Sequence, residues 1–208
     1  MIETLTKCLQ PVLEPLAADE QGRLYSDFDL IAEHDGVFGT GKTAAVLVPL
    51  VWRASGWQVL LTLRSDTMPT HAGQISFPGG SYHPQDENLT TTALREFEEE
   101  TGVLRSQVRV LGRFERYHTA TDYRITPFVG VIAGPVVLRA DPREVAEIFE
   151  VPFSFLSNLA NFKQESRIWQ GKERFFYSIP WQDRYIWGAT AGMLRALALR
   201  LSTNISEK

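Results

Sequence analysis

Leu94-Arg95-Glu96-Phe97-Glu98-Glu99-Glu100-Thr101-Gly102-Val103 combines a cation, four acids and an apolar edge within a few helical turns. Asn88 is able to cap a helix beginning at Leu89, and Gly102 stands where a left-handed residue closes one, so the spacing predicts a helix over 89–101. At about 100° per residue, Glu96, Glu99 and Glu100 fall at i, i+3 and i+4 and share one face. Ala93, Leu94, Phe97 and Thr101 make a separate apolar edge, while Glu98 points away from both groups. Like charges at these spacings destabilise a helix by roughly 0.2–0.5 kcal/mol per pair. Anions in the last turn also oppose the helix dipole by about 0.3–1 kcal/mol each. A surface tolerates both costs, and a hard divalent cation removes them, because such ions take oxygen ligands and are held by one or two carboxylates together with substrate phosphate. By itself the pattern fits either a metal site or a solvated acidic face.

Outward from this helix the chain alternates short strands and helices. The branched apolar runs 44–52 and 57–64, separated by Arg53-Ala54-Ser55-Gly56, read as two strands joined by a turn. Residues 65–73 form a polar loop, and Gln74-Ile75-Ser76-Phe77 is a short strand ending at Pro78-Gly79-Gly80. Downstream, 108–118 and 124–133 read as strands, 142–155 as one or two short helices broken at Pro152, and 162–169 with 174–179 as a hairpin across Gly171. Residues 188–201 close the chain as a helix, with Met193, Leu194, Leu197 and Leu201 at helical spacing. At the other end, 2–16 is weakly amphipathic and interrupted by Pro11 and Pro15, which predicts a short broken helix, and the polar stretch 18–43 reads as loop. Interspersed elements with hairpin-length connections indicate an α/β chain of the α+β type, an α/β/α sandwich around a mixed sheet, not a doubly wound parallel sheet. One domain is expected, carried by 44–208, with 1–43 an N-terminal helix and loop extension of it.

Composition narrows the function classes. The 208 residues are 44% hydrophobic and 22% charged, ordinary for a globular protein with a real core. Net charge is −4, so neither nucleic acid nor anionic lipid is an expected partner. The single cysteine, Cys8, cannot form an internal disulfide. Glu3 and Lys7 interrupt the apolar N-terminal stretch, which does not read as a signal peptide, and no run reaches the roughly 18 apolar residues of a membrane span. A cytoplasmic location is expected. A mildly acidic protein handles a phosphate substrate through local arginines, or through a cation that turns acidic side chains into a phosphate site.

Phe77-Pro78-Gly79-Gly80, a loop and then the acidic helix resemble the Nudix box, Gly-x5-Glu-x7-Arg-Glu-U-x-Glu-Glu-x-Gly-U with U apolar. Arg95, Glu96, Phe97, Glu99, Glu100, Gly102 and Val103 match its whole second half. In the first half, counting from Gly80 puts Asp86 at the Glu position with one added residue before Arg95, while counting back from Arg95 puts Glu87 there and Ser81 on the glycine. We take Asp86 as the equivalent acid, with Glu87 the alternative. The resemblance implies metal-dependent hydrolysis of a nucleoside diphosphate linked to another group. It implies Glu96, Glu99 and Glu100 as ligands of Mg²⁺ or Mn²⁺, which polarise the phosphoryl oxygens and lower the pKa of an attacking water. Arg95 is then structural, holding the acid at the start of the loop, and Gly79 and Gly80 let the backbone approach the site closely. The general base is left open, a carboxylate from a later loop being one source.

Leu60-Leu61-Thr62-Leu63-Arg64-Ser65, then Gly73 and Phe77-Pro78-Gly79-Gly80, is similar to the signature of the coenzyme A pyrophosphatase branch. Glu144-Val145-Ala146-Glu147 with Val151-Pro152, and Ile186-Trp187-Gly188-Ala189-Thr190-Ala191-Gly192, extend the likeness over most of the chain. The signature's second arginine falls at Pro69, which has neither charge nor backbone donor. The branch's reaction splits coenzyme A, a small-molecule nucleotide, into 4′-phosphopantetheine and adenosine 3′,5′-bisphosphate. Arg64 is the first candidate for phosphate contact, against a surface ion pair as the alternative. His71 and His118 fall in loops near the site by sequence, with solvated loop histidines the commoner case. Another nucleoside diphosphate derivative as substrate, such as a dinucleotide or nucleotide sugar, and a catalytically silent nucleotide sensor are the rival readings.

Gly36-Val37-Phe38-Gly39-Thr40-Gly41-Lys42-Thr43 matches the phosphate-binding pattern Gly-x4-Gly-Lys-Thr. That motif works when a strand precedes it and a helix follows. Here Glu33-His34-Asp35 is not a buried strand, and the branched run from Ala44 reads as a strand, so the match is expected to be coincidental.

Overall fold

The computed structural model describes residues 2–16, 24–26, 41–169 and 171–206. Its centre is the hairpin of β2 (Lys42–Arg53) and β3 (Gly56–Arg64), turning at Arg53 and Gly56 as the sequence indicates. A strand alternates its side chains, and β2 uses both faces: Ala45, Leu47 and Val51 point to one layer, Val46, Val48 and Leu50 to the other. The first layer is α2 (Leu89–Thr101), which contributes Ala93 and Phe97; the second is α4 (Ala189–Ser206), which contributes Met193, Leu194 and Leu197. Two buried faces on one sheet make the expected α/β/α sandwich.

Among the described residues the main sheet has nine strands and is mixed. Its path runs from β1 (Leu24–Ser26) through β7 (Arg116–His118), β8 (Tyr123–Ile132), β2 and β3 to β4 (Ile75–Ser76). The β8–β2 pair is parallel, with Val48 opposite Val129, and β1 runs parallel to β7. Off this path, β5 (Gly79–Ser81) pairs with β2, and β6 (Val108–Arg113) with β8. The single strand expected over 108–118 is thus divided into β6 and β7. Part of the stretch expected as loop, Leu24–Ser26, is recruited as β1 because β7 would otherwise leave an unpaired edge. The N-terminal helix α1 (Ile2–Leu9) ends in a 3₁₀ turn, Gln10–Val12, that contains Pro11, and its Leu5 and Leu9 are buried in the same core as α4. Of the Gly-x4-Gly-Lys-Thr match, 36–40 lie outside the described residues, and Lys42 opens a strand, not a helix.

The helices expected over 142–155 are corrected. Residues Val145–Pro152 form β9, antiparallel to β3 from Gln58 opposite Pro152 to Arg64 opposite Val145, and only Phe153–Leu156 is helical, as α3. The physical reason is tertiary. Val145, Ile148, Phe149 and Val151 are branched or aromatic residues suited to a strand, Phe149 and Val151 alternate into the core, and the backbone of β3 needs a partner on that side. Glu150 between them is tied to Arg53 of β2 at 2.6 Å.

The hairpin expected after residue 162 is present as β10 (Lys163–Trp169) and β11 (Lys172–Trp181), and a third strand, β12 (Arg184–Trp187), completes a small separate sheet. α4 starts immediately after it. At Gly192 of α4 an added Cβ would stand 2.5 Å from the Tyr117 ring, and Tyr117 is buried. Gly192→Ala is expected to lower unfolding free energy by about 1–3 kcal/mol through this overpacking, measured by urea denaturation against wild type.

Candidate active site

α2 is placed by its two ends and one lock. The Asn88 side chain accepts a hydrogen bond from the Thr91 N–H at 3.0 Å, and Gly102 takes the left-handed conformation at φ 70°, its N–H donating to the Glu98 carbonyl at 2.9 Å. Ahead of the helix, buried Asp86 accepts two hydrogen bonds from Arg95, from Nε and Nη2, each at 3.0 Å. Thr92 Oγ1 donates to the same carboxylate at 2.9 Å and the His83 N–H at 3.2 Å. The Arg95 guanidinium holds Asp86 well below the usual carboxylate range. Between the two acids considered for this position, Asp86 is therefore the one that meets Arg95; Glu87 is exposed.

The remaining nitrogen of Arg95, Nη1, donates to Glu96 at 2.9 Å and to Glu99 at 3.1 Å. The three acids of the helix then separate. Glu96 and Glu100 turn inward and meet Glu144, in the turn just before β9, with carboxylate oxygens all within 4.8 Å of one another. Glu99 lies outside this group, its side chain 58% exposed and held by Arg95. Glu144 is positioned from the sheet, since its carbonyl accepts from the Ser65 N–H at 2.8 Å. Spacing along the helix could not have indicated Glu144; the signals in sequence were its place in the Glu144-Val145-Ala146-Glu147 stretch that resembles the coenzyme A pyrophosphatase branch and the room left for a carboxylate from a later loop.

The backbone closes around these carboxylates. A Cβ on Gly79 would lie 2.5 Å from the Ala45 carbonyl oxygen, so that position does not accommodate a side chain, and one on Gly80 would lie 2.6 Å from the Glu96 carboxylate and displace it. The Gly79 N–H reaches Glu100 Oε1 at 3.5 Å and Thr62 Oγ1 donates to Oε2 at 3.4 Å, both long contacts for a residue only 2% exposed. Burial pushes the Glu100 carboxyl up to about 8, with Gly79 and Arg64 opposing the rise and Glu96 and Glu144 adding to it. Burial raises Glu96 as well. Three converging acids, two of them desolvated, form an all-oxygen donor set that fits a hard divalent cation. The cleft beside them measures about 630 Å³ and is lined by Arg64, Gly79, Gly80, Glu96 and Glu144.

A family model described as the NUDIX domain matches residues 41–170. The chain belongs to the Nudix family. Relatives from Yersinia pestis (strain Pestoides F) and Yersinia pseudotuberculosis (serotype O:1b, strain IP 31758), each described as an uncharacterized Nudix hydrolase, NudL, are 35% identical over 175 residues. That similarity spans 84% of this chain and 87% of each relative. A crystal structure of a Nudix hydrolase from Alicyclobacillus acidocaldarius shares the fold, with a TM-score of 0.50 and 21% identity over 82% of this chain and 96% of that one. As a Nudix hydrolase, the protein acts on diphosphate bonds, and enzymes of this family generally use divalent metals.

In this Nudix hydrolase Arg64 ends β3 and borders the cleft, and its Nε is buried without a hydrogen-bond partner among the described residues. His71 also borders the cleft, bonded to Gln74 at 2.9 Å, whereas buried His118 contacts Asp122 at 3.0 Å and does not line it. Pro69 is exposed and does not line it either, although its neighbours Thr70 and His71 do. Arg167, Arg174, Phe176 and Trp187 of the small sheet line the same cleft; of these the sequence had pointed only to Trp187, as part of the coenzyme A pyrophosphatase likeness. Among the described residues no helix is long and apolar enough to cross a membrane.

Two outcomes test this electrostatic picture. Glu100 has a folded-state value near 8 against an ordinary 4.5, so the metal-free fold holds that proton more tightly than the unfolded chain does. Stability is then lost as pH rises from about 4.5 to about 8, by on the order of a few kcal/mol. In chelator, wild type should weaken over this window relative to Glu100→Gln, and magnesium should narrow the difference; chemical denaturation at each pH reads it. Arg95→Lys, which keeps charge but loses the two-pronged contact with Asp86, should cost about 1–3 kcal/mol, measured by the same denaturation.

Proposed function

We propose that the protein is a Mg²⁺- or Mn²⁺-dependent diphosphatase of coenzyme A or acyl-coenzyme A. It releases 4′-phosphopantetheine, or its acyl form, and adenosine 3′,5′-bisphosphate. The observation that carries the reading is the meeting of Glu96, Glu100 and Glu144 at a cleft that Glu96, Glu144 and Arg64 line. Support for the substrate comes from the branch signature itself, whose residues surround these acids. Thr62 donates to Glu100, Arg64 borders the cleft, and Gly79 and Gly80 form its wall. Residues 1–43 are an extension of this domain.

Glu96, Glu100 and Glu144 would hold the cation, while Glu99 stays exposed on the same helix, paired with Arg95. When bound, the ion polarises the phosphoryl oxygens and acidifies the attacking water. Arg64 binds a diphosphate oxygen through its unpaired guanidinium edge. Asp86 and Arg95 keep α2 in place, so the carboxylates are oriented before substrate arrives. Water adds to one phosphorus and the bridging oxygen leaves with the other.

Incubation with a panel of coenzyme A, acyl-coenzyme A, dinucleotides and nucleotide sugars, with products identified by mass, tests the substrate. Release of 4′-phosphopantetheine with magnesium or manganese, none in chelator, and a loss of orders of magnitude in Glu100→Gln are expected. Turnover confined to a dinucleotide or nucleotide sugar would replace the substrate, and full activity of Glu100→Gln would remove the mechanism.

A further inference from the structure

The small sheet brings two arginines face to face across its hairpin. Arg167 of β10 and Arg174 of β11 stand directly opposite one another in the antiparallel register, and both line the cleft. Like charges facing each other across a strand pair are destabilising, and an anion shared between them reverses the sign of that term. The Arg167 guanidinium lies 4.3 Å from the ring centroid of Trp187 and 5.8 Å from that of Phe176. An arginine stacked on an indole keeps its N–H edge free for two-pronged contact with phosphate, and the stacking restricts its orientation in advance. Among the described residues Arg167 has rings beside it but no carboxylate in an ion pair. Glu165, on the same face of the strand, is already engaged by Ser178 and Tyr185. Arg64, the cation acting on Glu100, ends a strand of the main sheet, whereas the hairpin arginines line the same cleft from the small sheet and form a second positive centre there.

We propose that Arg167 and Arg174 form a specificity site for a second anionic group of the substrate, a phosphomonoester on its nucleoside portion, apart from the diphosphate that is cut. This rests on the coenzyme A reading, in which the nucleoside half carries such a group. The site selects substrates with two separated phosphate centres. Arg64 and the carboxylate-held ion take the diphosphate, and the hairpin pair takes the phosphomonoester.

Binding and turnover together test it. Calorimetry with adenosine 3′,5′-bisphosphate and with AMP should show the bisphosphate binding roughly ten- to hundredfold more tightly to wild type, the effect of one charge-assisted contact. The ratio of kcat/KM for coenzyme A over 3′-dephospho-coenzyme A should show a preference of similar size. In Arg167→Gln and Arg174→Gln both ratios should fall towards one, and Arg167→Lys should restore part of the preference; thermal unfolding confirms that each variant folds. Equal loss for both nucleotides in the variants overturns the proposal and assigns the pair to the diphosphate, and so does equal binding of both nucleotides by wild type. If no coenzyme A derivative is cut but the nucleotide preference and its loss persist, the substrate reading fails and the phosphomonoester site stands. Coenzyme A cleavage without any preference over its dephospho form has the opposite meaning.

Discussion

Carboxylates that would repel one another are forced together at the rim of a sheet, and the surrounding structure exists to hold them there. Glu96 and Glu100 come from one helix and Glu144 from a turn that the sheet positions, so the group forms only when α2 is docked on β2 and β5 and β9 has paired with β3. Desolvation makes the arrangement unfavourable without a cation, offset in part by Arg95 at Glu96 and by the Gly79 N–H and Arg64 at Glu100. Because Arg95 touches Asp86 as well as Glu96 and Glu99, one guanidinium fixes the helix and neutralises part of its acidic face.

The sandwich makes this placement rigid. Each alternate residue of β2 belongs to a different core, one beneath the acidic helix and one beneath the C-terminal helix, so a shift of register would expose both. The short strand β5 brings Gly79 and Gly80 against β2 on one side and the carboxylates on the other, where an added Cβ would meet the Ala45 backbone at Gly79 and the Glu96 carboxylate at Gly80. The cleft lies between two walls of different character. One is acidic with a single arginine at its edge; the other, the small sheet, presents arginines and aromatic rings.

Much of the acidic helix was legible in sequence. Its limits and its capping residues follow from local rules, since helical spacing and terminal hydrogen bonds involve only near neighbours. Local reading misplaced 142–155, where strand and helix preferences are nearly balanced and the decision came from the open side of β3. It also grouped Glu96, Glu99 and Glu100 as one set, because spacing reports a shared face and not which side chains bend inward.

The sequence by itself determined the acidic helix, the paired strands before it, the glycines at the turn and the family to which they belong. All of these are encoded over short separations by periodicity and backbone preference. Only the tertiary structure decided that Glu144 joins Glu96 and Glu100 while Glu99 stays at the surface with Arg95, and that Arg167, Arg174 and Trp187 face the same cleft. The physical reason is that these meetings join segments far apart in the chain, brought together by strand pairing and core burial, which no spacing within one segment specifies.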